Sequence, residues 1–338
     1  MTIPRRVVFA FAASVLSVAI GVAILFSAEL WVHHRFEPMS GLNIRGYRGP
    51  VVDRKQPDER RIVALGGSTV LGFGVVWDEA FPGQLEQILN AAGDRLRASV
   101  VNLGYNNDGA YAMKYTLDDY AYLQPDLAIL YEGYNDLYGQ LNTQVFRHQF
   151  AVFRVTGYLP LLPIVLREKA MALRAGDLRL AYRGDKVVFR PNLAQRSAAA
   201  TLEAASAINL ALDHQLGKLR EDWSVVERPA FTTDEDRKIS YYCDWIEGAV
   251  RLARTRGTRV LVVGQPYRGD RHVQQQLALA ARLNEWFGTD PGVRYLNLGH
   301  AVDLKNPSLT FDGMHLTKAG NRLIAKALAD SVRSLLTQ

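Results

Sequence analysis

The sequence predicts a three-layer α/β/α fold of the flavodoxin-like type, built on five parallel strands. Two observations lead to this prediction. Short apolar runs alternate with longer segments of helical periodicity along most of the 338 residues. In addition, glycine or polar residues follow the ends of three successive runs. Ligands bind at the carboxyl ends of the strands in doubly wound sheets, so this placement fits a parallel sheet with a site at that edge.

Strands are expected where an apolar run ends at turn residues. The five expected strands cover residues 61–65, 99–103, 126–131, 259–263 and 293–298. Helices are expected where apolar residues recur at a spacing of three and four. They cover residues 79–92, 111–123, 197–219, 233–255, 271–287 and 318–336, with Thr317 as the N-cap of the last and Thr232 or Thr233 as the N-cap of 233–255.

The alternation breaks in an insertion at about residues 138–232. Residues 150–166 are apolar and aromatic, but Arg154, Gly157, Pro160 and Pro163 exclude a regular membrane-spanning helix there. The insertion therefore forms a lid, lies on a membrane surface or packs as ordinary core, and the sequence leaves these alternatives open.

Positive charge is concentrated in the same part of the chain. Residues 147–196 hold ten Lys or Arg against three acidic residues and carry +7, whereas the whole chain carries +6. This local charge favours an anionic lipid surface or an anionic glycan as partner, and a solvated basic face is the alternative. No basic run accompanies a nucleic-acid-binding motif, so a nucleic-acid partner is not expected.

The N-terminal segment predicts a membrane anchor. Residues 7–28 are an uncharged apolar run of 22 residues, which can cross a bilayer as a helix. Arg5 and Arg6 before the run and Glu29 after it place the N terminus in the cytoplasm and the remainder outside, on the periplasmic side. A cleaved signal peptide is the alternative, although Ser27 and Ala28 match a cleavage site poorly.

The expected organisation is a cytoplasmic N terminus (1–6), a signal anchor (7–28), a lead-in segment (29–60) and one α/β domain (61–338) that contains the insertion. The single Cys243 excludes an intramolecular disulfide and is expected to be a small buried residue. His33 and His34 lack further ligands at a metal-binding spacing, so no metal site is expected.

Four short motifs hold the residue types that serine catalysis requires. They are Gly66-Gly67-Ser68-Thr69, Asn102-Leu103-Gly104-Tyr105-Asn106, Glu132-Gly133-Tyr134-Asn135-Asp136 and Asp312-Gly313-Met314-His315-Leu316. A serine hydroxyl needs a base within hydrogen-bond reach, and His315 can accept and later return its proton. Asp312, three residues earlier, can orient the imidazole. Each motif alone would more often be an ordinary turn, but the four together predict an active site.

Other interpretations of the first motif fail at single positions. A nucleophile elbow of the α/β-hydrolase type needs glycine where Val70 stands. A P-loop needs a lysine, and none occurs between residues 60 and 83. A dinucleotide fingerprint that begins at Gly72 needs glycine or alanine where Trp77 stands.

In this order and spread, the motifs resemble the SGNH (GDSL-like) hydrolase superfamily, and the N-terminal run would make this chain a membrane-anchored member. The resemblance implies Ser68 as the nucleophile, His315 as acid and base, and Asp312 as its orienting group. It also implies an oxyanion hole formed by the Ser68 and Gly104 backbone N–H groups and the Asn135 side-chain amide. No metal or organic cofactor is implied.

The implied function is hydrolysis of a carboxylic (O-acyl) ester through an acyl-serine intermediate. The anchor and the basic insertion favour an ester on an envelope polysaccharide or a lipid as substrate. Two alternatives remain open: transfer of the acyl group to a polysaccharide hydroxyl, and a non-catalytic protein that binds or assembles envelope glycans. Exclusion of water from the acyl-enzyme separates hydrolysis from transfer.

Overall fold

A computed structural model describes residues 4–91, 97–137, 141–176, 191–218, 230, 232 and 234–337. The chain forms two compact units. The first unit consists of Met1–Ser40, Phe150–Phe153 and Tyr158–Trp223. The second consists of Gly41–Gln149, Arg154–Gly157 and Ser224–Gln338 and contains the sheet.

The described residues contain ten α-helices and five strands. In chain order they are α1 (Arg5–Ser40), β1 (Glu59–Gly66), α2 (Ser68–Leu71), α3 (Phe81–Ala91), β2 (Arg97–Asn102), α4 (Ala110–Asp119), β3 (Leu127–Tyr131), α5 (Ala151–Thr156), α6 (Leu162–Ala175), α7 (Leu193–Gly217), α8 (Glu235–Thr255), β4 (Arg259–Gly264), α9 (Asp270–Phe287), β5 (Val293–Asn297) and α10 (Lys318–Thr337). Short 3₁₀ turns cover Ala121–Leu123 and Tyr134–Asp136.

The five strands form one parallel sheet in the order β2-β1-β3-β4-β5. Every residue of β3 is buried, because helices cover both faces of the sheet. The pair α3 and α10 covers one face, where apolar side chains such as Ile62, Phe81 and Ile324 pack together. The pair α4 and α8 covers the other. The predicted five-stranded α/β/α fold is therefore confirmed.

The predicted helix over residues 111–123 differs at its end. α4 stops at Asp119, and the chain continues as a 3₁₀ turn that ends at Gln124 in the left-handed region, with φ of 51°. The N-cap of α8 is Asp234, which accepts hydrogen bonds from the Asp236 and Arg237 N–H groups. Of the two predicted caps, Thr232 lies two residues earlier and Thr233 is outside the described residues. Thr317 caps α10 as predicted, since its Oγ1 accepts from the Gly320 N–H.

In the first unit, α1 is longer than the predicted anchor. Its segment Arg5–Arg35 is long and apolar enough to cross a membrane. Near its end, the buried Glu29 carboxylate accepts the N–H groups of Leu161 and Leu162 at 2.6 and 2.8 Å, at the start of α6. Unpaired N–H groups at a helix start need such acceptors, so Glu29 joins α6 to α1.

Residues 150–166 form no continuous helix, as predicted. α5 ends before Gly157, which adopts φ of 66°, and α6 begins at Leu162. The basic residues of the insertion are only partly described, because Arg179, Arg183, Lys186 and Arg190 lie outside the described residues. Cys243, as expected, is buried on α8.

Candidate active site

The candidate site lies at the carboxyl ends of β1, β2 and β3. Ser68 follows β1 and is the first residue of α2, and its side chain is mostly buried. Gly67 before it allows a close approach of the loop after β3. A Cβ atom at Gly67 would lie 2.2 Å from Asn135 Nδ2, closer than real Cβ contacts allow.

The structure brings Ser68, His315 and Asp312 into one hydrogen-bonded row. Ser68 Oγ lies 2.8 Å from His315 Nε2, and His315 Nδ1 lies 2.7 Å from Asp312 Oδ2. With Nδ1 protonated, the ring donates to the carboxylate and Nε2 accepts the Ser68 hydroxyl. This is the arrangement that a general base and its orienting carboxylate require.

The loop itself holds the Asp312 carboxylate in place. The backbone N–H groups of Met314 and His315 donate to Asp312 Oδ1 at 3.0 and 2.8 Å. Partial burial acts to raise the pKa of Asp312, but the hydrogen bonds from His315 and Met314 outweigh it, and the pKa lies below its usual value. The carboxylate is therefore ionised at neutral pH.

Asn135 lies beside the serine turn. Its Nδ2 donates to the Asp108 carbonyl at 2.8 Å, which orients the amide. The second hydrogen on Nδ2 has no partner within the described parts of the chain, and neither has the Ser68 N–H, which is the first of its helix. Two donors are thus available where an oxyanion would form next to Ser68.

Gly104 differs from the expectation for an oxyanion donor. Its N–H donates to Asn102 Oδ1 at 3.0 Å, so that donor is already in use in this structure. A Cβ atom at Gly104 would lie 2.4 Å from the Leu71 nitrogen and 2.8 Å from Val70 Cβ. The glycine is therefore required for close packing of α2 against the loop after β2, and an oxyanion role for its N–H remains a prediction.

Three polar residues that sequence reasoning gave no role also shape the site. The Arg48 guanidinium donates to the carbonyls of Leu71, Gly72 and Val75, which follow the serine turn. The other two, Glu132 and Gln265, are buried in the core. Hydrogen-bond partners of these three side chains lie in distant parts of the chain, so no local sequence signal identifies them.

Gln265 connects the serine turn to the loop that carries Asn135. Its Nε2 donates to Thr69 Oγ1 at 3.0 Å, and its Oε1 accepts the Tyr134 N–H at 3.0 Å. Both contacts are to residues adjacent to a predicted site residue. Gln265 follows β4, so the fourth strand also contributes to the site.

Two exposed aromatic side chains lie near the histidine. The rings of Phe73 and His315 lie 4.8 Å apart, and the loop at Gly74 lies against Phe311. Phe73 and Phe311 expose 53% and 56% of their surface, so they form an apolar rim beside a polar centre. We call these two residues the aromatic rim.

A parallel α/β/α sheet with a serine, a histidine and an aspartate aligned at its strand ends has the architecture of a serine hydrolase. The chain belongs to the GDSL-like Lipase/Acylhydrolase family, because the model of that family matches residues 64–323. The protein is accordingly an SGNH-type serine hydrolase of the carboxylic ester class.

Solved structures show a more distant similarity. An acetylxylan esterase mutant from Geobacillus stearothermophilus is 11% identical, with 82% of this chain and 94% of that chain covered and a TM-score of 0.42. The family 3 carbohydrate esterase of Clostridium thermocellum is 13% identical, with 82% and 99% covered and a TM-score of 0.42. The esterase EstA from Pseudoalteromonas sp. is 11% identical, with 82% and 100% covered and a TM-score of 0.44. No curated protein gave a significant match.

Proposed function

We propose that the protein is an esterase that hydrolyses O-acyl esters through an acyl-enzyme on Ser68. The observation that supports this most strongly is the row of hydrogen bonds, 2.8 Å from Ser68 Oγ to His315 Nε2 and 2.7 Å from His315 Nδ1 to Asp312 Oδ2. Family membership supports the same reaction class.

The reaction proceeds in two half-reactions. Ser68 Oγ attacks the ester carbonyl carbon while its proton passes to His315 Nε2, and the carbonyl oxygen becomes an oxyanion. The C–O bond to the alcohol then breaks, and His315 returns the proton to the alcohol oxygen. Water next attacks the acyl-serine and gives its proton to His315, and the carboxylic acid leaves as the proton returns to Ser68.

The oxyanion is stabilised by donors that are already in place. The Ser68 N–H and the second Asn135 Nδ2 hydrogen are the two donors with no other partner among the described residues. The Gly104 N–H joins them if its hydrogen bond to Asn102 is shared or released. Removal of one such donor costs about 10²- to 10³-fold in rate in serine hydrolases.

We propose that the ester is carried by an envelope carbohydrate. The aromatic rim supports this substrate, since flat exposed rings beside a polar centre match the alternating apolar and hydroxyl faces of a sugar. The helix Arg5–Arg35 supports a location at the membrane, with the catalytic unit on the periplasmic side.

Activity on p-nitrophenyl esters of increasing chain length tests this proposal. We expect hydrolysis of the acetate ester that is lost in Ser68→Ala and His315→Ala, because nucleophile and base are then missing. Full activity in both variants would refute the assignment. A preference for acetate supports the carbohydrate substrate, a preference for long chains supports a lipid, and acceleration by an added glycan supports acyl transfer.

A further inference from the structure

Glu132 is a buried carboxyl group next to the candidate site. It follows β3 directly, and only 1% of its surface is exposed. A buried carboxylate costs free energy unless hydrogen bonds or an opposite charge compensate. No cation pairs with Glu132 among the residues that the structure describes, so its hydrogen bonds must account for its presence.

The two oxygens of Glu132 accept hydrogen bonds from two different loops. Oε2 accepts the Gly67 N–H at 2.6 Å, immediately before the serine. Oε1 accepts the Gly133 N–H at 2.9 Å and the Asn135 N–H at 3.2 Å. One carboxylate thus connects the backbone of the nucleophile turn with the backbone of the loop that carries the amide donor.

An ionised carboxylate makes these three contacts best. All three partners are N–H donors, and protonation would replace one lone pair with a hydrogen and leave a weaker acceptor on that oxygen. A glutamine side chain in the same place would present an NH₂ group to one of the two loops, and the hydrogen bond with that loop would be lost. The three N–H donors therefore favour the charged form of the carboxyl, although burial disfavours it.

We propose that the Glu132 carboxylate is a positioning residue, which fixes the Ser68 turn and the Asn135 amide relative to each other so that the oxyanion hole is formed before the substrate binds. The proposal deepens the esterase function proposed above and rests on it. Without this connection, the two donors can move apart. Displacement of a preorganised donor lowers the rate of the chemical step more than it weakens substrate binding.

Burial raises the pKa of Glu132 to about 7, although hydrogen bonds from the three backbone N–H groups partly offset the effect of burial. The other titratable groups that face it are Asp108, Asp136 and three phenols, Tyr131, Tyr134 and Tyr242. Burial raises the pKa of each phenol, so all three are neutral in the working range. Burial also raises the pKa of Asp108 to about 7, so a variant of Glu132 is needed to identify which carboxyl acts.

The test compares Glu132→Gln with the wild-type chain and with Glu86→Gln. Glu86 is a matched control, because its carboxylate also accepts a backbone N–H, that of Val100 at 2.7 Å, and lies outside the site. We expect kcat of Glu132→Gln to fall by about 10²-fold, the scale of one lost oxyanion donor. KM should change by less than about threefold, since binding of the ground state is unaffected.

The dependence of kcat on pH distinguishes the proposed role from general destabilisation of the fold, which would not remove one titration from the profile. As pH falls through about 7, Glu132 takes up a proton and kcat of the wild-type enzyme should decline. In Glu132→Gln this part of the acid limb should be absent. The proposal is overturned if folded Glu132→Gln keeps wild-type kcat, if Glu86→Gln loses as much, or if the acid limb is unchanged.

Two further variants keep the outcomes distinct. Ser68→Ala is measured in parallel: if it stays active, the proposed esterase function fails, whereas an inactive Ser68→Ala with a normal Glu132→Gln overturns only the positioning role. If Glu132→Gln does not fold, Glu132→Asp replaces it. The shorter side chain keeps the charge but cannot reach both loops, so kcat should fall and the acid limb should shift. A wild-type profile in Glu132→Asp would contradict the proposal.

Discussion

His315 can act as a base because each of its ring nitrogens has one well-defined partner. Nε2 faces the serine hydroxyl, and Nδ1 faces a carboxylate that two backbone N–H groups of the same loop hold in place. The aspartate therefore selects the tautomer that leaves a lone pair on Nε2 for the Ser68 proton. The capacity of His315 to act as a base therefore depends on which of its ring nitrogens carries the proton.

Replacement of Asp312 by Asn tests this dependence. The amide lacks the charge that stabilises the imidazolium and can favour the wrong tautomer, so we expect kcat to fall by about 10³- to 10⁴-fold with little change in KM. The pKa of Asp312 lies below its usual value, so the carboxylate is present throughout the neutral range and its titration should not limit the rate there. Steady-state kinetics of the purified variant measure the effect.

Asp303→Asn is the matched control for that variant. Asp303 is an exposed aspartate of the same long loop, and its carboxylate accepts the Lys305 N–H at 2.9 Å. We expect the control to keep wild-type kcat. Equal losses in the two variants would mean that Asp312 acts through the folding of the loop and not on His315.

The sequence predicted the residue types of the site better than their backbone partners. Ser68, Asn135, Asp312 and His315 lie together because each follows a strand end or occupies a short turn, which local patterns can reveal. The role of Glu132 could not be predicted, since one of its acceptor contacts is with a backbone group 65 residues away. The hydrogen bond of the Gly104 N–H to the Asn102 side chain was missed because the orientation of one side chain at a strand end leaves no trace in the sequence.

Among the elements, the four-residue helix α2 determines the position of the nucleophile. A helix this short is not stable alone, so its neighbours must hold it. Gly104 lets the loop after β2 reach the backbone of Val70 and Leu71, and Arg48 binds carbonyls at the end of the helix and just after it. The position of Ser68 thus depends on contacts with two other parts of the chain.

Gly104→Ala tests whether this close packing is required. The added methyl group would lie 2.4 Å from the Leu71 nitrogen, so α2 must shift. We expect the free energy of unfolding to fall by about 1–3 kcal/mol, as for other overpacked sites, and kcat to fall with it. Urea denaturation and steady-state kinetics provide the two measurements.

Gly248→Ala is the control for an added methyl group. Gly248 lies within α8, where a Cβ atom would meet only Lys114 Cδ at 3.9 Å. Alanine favours a helix interior over glycine, so stability should stay the same or rise by up to about 1 kcal/mol. A Gly104→Ala enzyme as stable and active as Gly248→Ala would show that α2 does not need the glycine.

Element boundaries were predicted where hydrophobic periodicity was strong. The five strands begin and end within two residues of the expected positions, because buried parallel strands are nearly continuous apolar runs. The two-helix arrangement of α6 and α7 was not predicted in full. Its sequence mixes prolines, basic residues and apolar residues, so no single period indicated where α6 would begin.

At the scale of the whole molecule, the chain forms two compact units. The first unit combines α1 with α6 and α7, more than a hundred residues later in the chain. The buried hydrogen bonds of Glu29 with Leu161 and Leu162 are part of that association. Periodicity within a segment carries no information about which distant segment will pack against it.

Membrane attachment through α1 can be tested on the full chain. We expect the protein to stay in the membrane fraction after an alkaline carbonate wash, and its intact mass to show that residues 1–40 are retained. Replacement of both Val15 and Ile20 by Arg should release the protein from the membrane. Both side chains are exposed on the apolar segment, and each arginine at the centre of a bilayer costs about 2.5–3.5 kcal/mol. Release of the wild-type protein by the wash would contradict a membrane-spanning α1. A mass without the N-terminal segment would indicate a cleaved signal sequence.

The most direct test of the catalytic assignment is covalent labelling with a fluorophosphonate probe, followed by intact-mass and peptide analysis. We predict one adduct per chain, located on Ser68, whose formation slows strongly in His315→Ala because the hydroxyl loses its base. No adduct should form in Ser68→Ala. Labelling of Ser68→Ala at another serine, or failure of the folded wild-type protein to react, would contradict the proposed nucleophile.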